Sequence, residues 1–95
     1  MTEESISIII KALSVNSRLQ IVKLIRDRKY CVNAIARKLE ITQSAVSQHL
    51  KILKECNLVY AERYGSIIHY RLNPVTIDEF MKSLDAMLKK RGNDR

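Results

Sequence analysis

The chain has 95 residues and carries 17 Lys and Arg against 10 Asp and Glu, a formal net charge of +7. On one small domain, which buries only about 60–65% of the surface its unfolded chain exposes, that balance favours a polyanionic partner, most simply nucleic acid, over a membrane surface or merely solubilising charge. No apolar run approaches the ~20 residues that span a bilayer, the opening residues do not read as a signal peptide, and two cysteines are too few for a disulfide scaffold, so a cytoplasmic setting is expected.

In chain order, Ile6, Ile9, Ile10 and Leu13 are spaced for a first helix over residues 3–14. Asn16 is placed to cap a second, with Leu19, Val22 and either Leu24 or Ile25 on its buried side, ending in the charged run at 26–29. A short third helix carries Val32, Ile35, Ala36 and Leu39. Thr42 then caps a fourth, which ends near Cys56, and Asn57 suits the left-handed residue that closes it.

Beyond it the pattern changes to strands. Residues 58–64 and 67–72 are rich in aromatic and β-branched types, and Gly65-Ser66 between them is a two-residue hairpin connection. Pro74 suits the first turn of a last helix, in which Ile77, Phe80, Met81, Leu84, Met87 and Leu88 make one stripe. The basic tail at 89–95 is expected to fray. The fold class expected is α+β, mostly α: a winged helix-turn-helix of four helices, a β-hairpin wing and a C-terminal helix. It is read as a single domain over 1–95, with the helix-turn-helix at about 32–56, the wing at about 58–72, and the helices at 3–14 and 75–90 serving dimerisation.

The fourth helix, TQSAVSQHLKIL at 42–53, is unusual in its polar side. At 100° per residue, Val46, Leu50 and Leu53 share one face. Ser44, Ser47, Gln48 and Lys51 crowd nearly opposite, with Gln43 at the exposed N-terminal end. No acid occurs from Thr42 through Lys54. Gln can bond bidentately to adenine, Ser can donate to or accept from a base edge, and Lys neutralises phosphate or reads guanine. The expectation is that Gln43, Ser44, Ser47 and Gln48 read bases of double-stranded DNA while Lys51, Lys54, Arg63 and Arg71 hold phosphates. A solvated face that merely lacks acids is the bland alternative. The turn, the wing and the net charge weigh against it.

Residues 12–74 resemble the ArsR/SmtB-type winged-helix repressors. The resemblance is carried by Ala12-Leu13-Ser14 with Ser17-Arg18-Leu19, Ala34-Ile35-Ala36 with Leu39, the string ITQSAVSQHLK at 41–51, Leu58-Val59, and Tyr70-Arg71-Leu72-Asn73-Pro74. It implies a homodimer built from terminal helices that binds a palindromic DNA operator and releases it on sensing a metal, metalloid, oxidant or other signal.

This chain departs from that pattern where the family binds metals. Members that use the third helix carry Cys-Val-Cys, whereas here the string is Cys31-Val32-Asn33, and an amide poorly replaces a thiolate for a soft ion. Members that bind zinc between their last helices use Asp and His, whereas this last helix offers Asp78, Glu79 and Asp85 without histidine. No metal site and no cofactor are expected. Glu40 and Asn57 stand where glycine is frequent, and Ser66 where the wing often has Arg.

His49 is expected to orient the fourth helix, and His69 to pair across strands with an aromatic or β-branched neighbour. Cys56 reads as a small buried hydrophobe. Cys31, near a helix N-terminus with Arg28 and Lys29 close by, is the candidate sensor, for oxidants or a soft metalloid. An enzyme is not expected, because neither a paired acid/base constellation nor a Gly-rich phosphate loop is present. A constitutive DNA-binding protein and a protein-interaction module are the alternatives to a ligand-responsive repressor.

Overall fold

In a computed structural model, which describes residues 1–89, the first helix, α1 (Glu3–Leu13), starts where Thr2 Oγ1 accepts the Ser5 N–H at 3.0 Å. Glu3 and Glu4 in its first turn and Lys11 in its last complement the helix dipole. Ile6, Ile9 and Ala12 are its buried side, while Ile10 turns outward.

Helix α2 (Asn16–Ile25) differs from expectation twice. Asn16 lies inside the helix and Val15 is the N-cap, with no side-chain capping bond. Leu19 is 40% exposed, whereas Ile21 is fully buried. The buried arc is centred on Ile25 with Ile21 and Val22 beside it, and at 100° per residue Leu19 falls outside.

A two-residue strand, β1 (Tyr30–Cys31), runs straight into α3 (Val32–Leu39), so Cys31 is also the N-cap of that helix. Glu40, at φ 55, is left-handed and ends α3. A non-glycine residue pays roughly 1 kcal/mol there. Two residues later Thr42 Oγ1 accepts the Ala45 N–H at 3.0 Å and starts α4 (Gln43–Glu55). Asn57, at φ 62, closes α4, with Leu58 N–H donating to the Leu53 carbonyl at 3.0 Å, the six-to-one bond of a Schellman close.

The hairpin is β2 (Val59–Tyr64) and β3 (Ile67–Leu72), joined through Gly65 at φ +64. The sheet order is β1-β3-β2, all antiparallel, with Tyr64 opposite Ile67 at the tip and Val59 opposite Leu72 at the base. Asn73 N–H donates to the Leu58 carbonyl at 2.8 Å and fastens that base. The Asn73 carboxamide oxygen then accepts from Val75 and Thr76 N–H and opens α5 (Pro74–Leu88).

One core joins these elements: Ile6, Ile9, Ile21, Ile25, Ile35, Val46, Leu50, Leu53, Leu58, Val59 and Phe80 are all buried in it. Of the α5 stripe only Phe80 is fully buried. Ile77 and Leu84 pack against the core edge, while Met81 (56%) and Leu88 (70%) remain exposed. The architecture is a winged helix-turn-helix. The tail expected to fray lies, from residue 90 on, outside the described residues.

Candidate nucleic-acid interface

Helix α4 is pinned from behind. Val46, Leu50 and Leu53 are buried to within 1% and fix which way the rest of the helix faces. Gln43, Ser44, Ser47, Gln48, Lys51 and Lys54 are consequently all exposed, on neighbouring turns of one side. None of these six has a side-chain hydrogen-bond or ion-pair partner among the described residues, and their donors and acceptors face solvent. Such a face can meet the base edges and phosphates of a major groove.

Two depressions flank this face. An open cleft of about 430 Å³ lies between α3 and the start of α4, lined by Asn33, Arg37, Thr42 and Gln43 among others. A smaller one of about 160 Å³ is lined by Ser47, Leu50, Lys51, Lys54 and Tyr70, where β3 approaches α4. Asn33 and Arg37, four apart on the outer side of α3, lie beside this exposed face but were not singled out from sequence. Their spacing on a short helix was the available signal.

Strand alternation separates the two wing arginines. Arg63 pairs with Ile68 and shares the face of Tyr70, the side turned toward α4. Arg71 lies on the opposite face, where its Nε donates to Glu62 Oε1 at 2.8 Å. The structure therefore groups Gln43, Ser44, Ser47, Gln48, Lys51 and Lys54, places Arg63 farther toward the wing tip on the strand face that Tyr70 shares, and holds Arg71 in an ion pair.

More cations accompany the wing. Lys29 Nζ sits 3.6 Å from the centre of the Tyr64 ring, and Arg28 lies over Tyr30 at 5.0 Å. These contacts keep positive charge beside the hairpin on fixed aromatic supports.

His49 is half-buried on the side of α4 away from Ser47 and Lys51. Burial, and then the nearby Arg18 guanidinium, hold its pKa below the ordinary imidazole value. His69 departs from its expected pairing. Its direct cross-strand neighbours are Cys31 and Glu62, and the aromatic contact is diagonal, an edge-on Tyr64 ring with centroids 5.3 Å apart. His69 Nδ1 is buried and has no hydrogen-bond partner among the described residues.

Both cysteines are free thiols and half-buried. Cys31 lines an open groove of about 350 Å³ with Asn33, Ser66 and Ile67, between the start of α3 and the wing. The Cys56 thiol donates to the Leu53 carbonyl at 3.4 Å, and burial pushes its pKa up. Among the described residues no three His, Cys, Asp or Glu side chains gather as metal ligands would. No helix among them is long and apolar enough to cross a membrane.

Comparison with known proteins agrees with this geometry. The family described as bacterial regulatory protein, arsR family, matches residues 16–61. The HTH-type transcriptional repressor SmtB of Mycobacterium tuberculosis (strain CDC 1551 / Oshkosh) is 41% identical over 64 residues, covering 67% of this chain and 47% of that protein. The arsenical resistance operon repressor of Bacillus subtilis (strain 168) is 36% identical over 84 residues, covering 86% of this chain and 80% of that protein. Among solved structures, a homodimeric winged helix-turn-helix DNA-binding domain (fragment 1–100) of Mycobacterium bovis has a TM-score of 0.74 at 25% identity, covering 97% of this chain and 88% of that one. The chain thus spans about half the length of the SmtB repressor it matches.

Proposed function

Because the chain belongs to the ArsR family of bacterial regulatory proteins, we propose that it is a sequence-specific, DNA-binding transcriptional regulator: a cytoplasmic, homodimeric repressor acting on a palindromic operator. The observation that carries this reading is the outward face of α4, exposed, without an acid from Gln43 through Lys54 and backed by a fully buried stripe. In a dimer the two α4 helices enter successive major grooves about 34–36 Å apart. Gln43, Ser44, Ser47 and Gln48 read bases. Lys51, Lys54 and Arg63 neutralise phosphate, and Arg71 contributes less because Glu62 already counters its charge.

The terminal helices supply the dimer contact. On these helices Ile6, Ile9 and Phe80 are used up in the chain's own core. What supports pairing is the apolar surface left over: Ile8 and Ile10 on α1, with Met81, Met87 and Leu88 on α5. Burying it against a second copy is the simplest way to remove it from water.

The test is a selection of binding sites from a random-sequence DNA pool, followed by titration of the selected duplex and a mixed-sequence duplex. The double variant Ser47→Ala/Gln48→Ala should lose about 1–3 kcal/mol of preference for each good base contact while keeping salt-dependent background binding. A double variant as selective as the parent would mean that α4 does not read bases through this face.

Cys31 is the handle for an effector, through oxidation or a soft metalloid. A thiol in a groove bordered by Ser66 and Ile67 is placed to disturb the wing when modified. A constitutive DNA binder without an effector is the second reading, favoured by the single thiol in Cys31-Val32-Asn33. Operator affinity with and without peroxide or arsenite separates the two. Cys31→Ser should bind as the parent does and no longer respond, and a parent indifferent to both agents favours the constitutive binder.

A further inference from the structure

The contacts that hold α4 are almost all apolar. Val46, Leu50 and Leu53 turn one side of it to the core, but apolar contacts are non-directional and leave the fine rotation about the helix axis to polar ones. One side chain supplies a directional contact. Arg18, half-buried on α2, donates from Nε to the Ala12 carbonyl at 2.7 Å, and its Nη1 lies 3.4 Å from His49 Nδ1 on α4. The Ala12 carbonyl belongs to the last turn of α1, among the groups a helix leaves without an internal partner. A single guanidinium therefore spans three helices: rooted in α2, anchored on the end of α1, and touching the rear of the recognition helix.

The chemistry of the pair fixes the state of the histidine. Guanidinium has only donors, so His49 Nδ1 must accept, and the proton of the neutral ring resides on Nε2. A protonated imidazole has no acceptor left, and it would also set two cations against each other. We propose that Arg18 is a positioning residue for base readout, holding the rotation of α4 relative to α1 through a neutral His49. This inference rests on the reading of α4 as the base-contacting helix. It makes that face register with α1, one of the helices on which the dimer is built. The distance between two reading faces in a dimer then depends on this contact as well as on the interface itself.

The charged groups at this junction are Lys11 from α1, Arg18 from α2 and Glu55 from α4, which line one cleft with the Cys56 thiol. Of these, Arg18 is the one whose charge acts on His49, adding to the effect of burial, and both lower its pKa below 6.5. The sign follows. The contact is complete at neutral pH and above, and it is lost as pH falls through the lowered value and the ring takes up a proton. Protonation also adds positive charge, which strengthens binding to any DNA. The quantity to follow is therefore the ratio of affinities for selected and mixed-sequence duplexes.

The experiment measures that ratio from about pH 8 down to about pH 5.5 for the parent, Arg18→Lys and His49→Asn, with thermal unfolding as the control for folding. Lysine lacks the planar fork that sets Nε on the Ala12 carbonyl and Nη1 toward the ring, so Arg18→Lys should lose about tenfold in selectivity at neutral pH. Asparagine offers an oxygen where Nδ1 stood and does not titrate, so His49→Asn should keep selectivity and flatten its fall at low pH. The ¹⁵N resonances of the His49 ring should report the Nε2–H tautomer in the free protein, without any DNA. Unchanged selectivity in a folded Arg18→Lys protein, a parent-like pH profile in His49→Asn, or an Nδ1–H tautomer would each overturn the proposal. If Arg18→Lys does not fold, the histidine variant and the ring resonances decide. A parent with no selectivity at any pH refutes the DNA-reading face instead, and the tautomer still judges the contact.

Discussion

Helices α4 and α5 are close in length, 13 and 15 residues, yet they dispose of their apolar stripes in opposite ways. Helix α4 spends its stripe inside the chain and shows solvent a face of amides, hydroxyls and lysines, with no acid before Glu55 at its end. Helix α5 buries only Phe80 fully, exposes Met81, Met87 and Leu88, and carries i,i+4 ion pairs, Lys82 with Asp78 and Lys89 with Asp85. Acids on α5 would be repelled by a polyanion, and bare methionines on α4 would have no use beside a base edge. One helix suits a charged, hydrogen-bonding partner, and the other suits an apolar surface like its own.

The contrast breaks most easily from the inside. Leu50→Ala removes a buried side chain behind the reading face and should cost about 2–5 kcal/mol of stability, read as a lowered denaturant midpoint. Ser47→Ala/Gln48→Ala, on the outer side of the same helix, should leave that midpoint within about 0.5 kcal/mol per residue. Equal losses from the two sides would contradict the division of α4 into a packing face and a reading face.

Helix α5 should respond in association rather than in folding. Met81→Asp places a charge on the exposed stripe of both subunits. At about 1.5 kcal/mol or more for each methionine no longer buried, the dimer should weaken by over a hundredfold. Sedimentation at micromolar concentration is the measurement, and an unmoved monomer–dimer equilibrium would remove α5 from the interface. Leu84 is a poorer probe because it packs against the chain's own core.

The smallest effect sharpens the comparison among cations. Lys51→Ala should lower the slope of log affinity against log salt by about 0.9 per DNA site it occupies. Arg71→Ala should change the slope less, since Glu62 already shares its charge. Equal slopes for both variants would place Arg71 on phosphate after all.

Much of this was legible in the sequence because the signals are local. Thr42 as a cap, Asn57 as a left-handed close, Gly65 in the tip and Pro74 in the first turn of α5 each act within a few residues, and the structure keeps all of them. What escaped was set by distant partners. Strand β1 has two residues and no pattern of its own; it exists because β3 lies alongside. Leu19 and Ile21 are equally apolar, and only the position of the core relative to α2 decides which is buried. The Arg71–Glu62 pair follows from the hairpin register, and the Arg18–His49 contact joins residues 31 apart in sequence. Ser44, Ser47, Gln48 and Lys51 were visible because helical phase separates them from Val46, Leu50 and Leu53, and Gln43 because it stands at the helix start.

Strand β1 has a mechanical consequence. Tyr30 and Cys31 bond to the middle of β3, opposite Tyr70 and His69, while Asn73 fastens the base of the hairpin to Leu58. The wing is thus stapled along one edge to the entry of α3 and cannot swing as a free arm. The staple limits how far the wing can turn against the helices beside it, so a duplex that meets both wing and recognition helix must itself supply much of the matching groove width. Sequences that adopt that width at little elastic cost are favoured, even at base pairs no side chain touches.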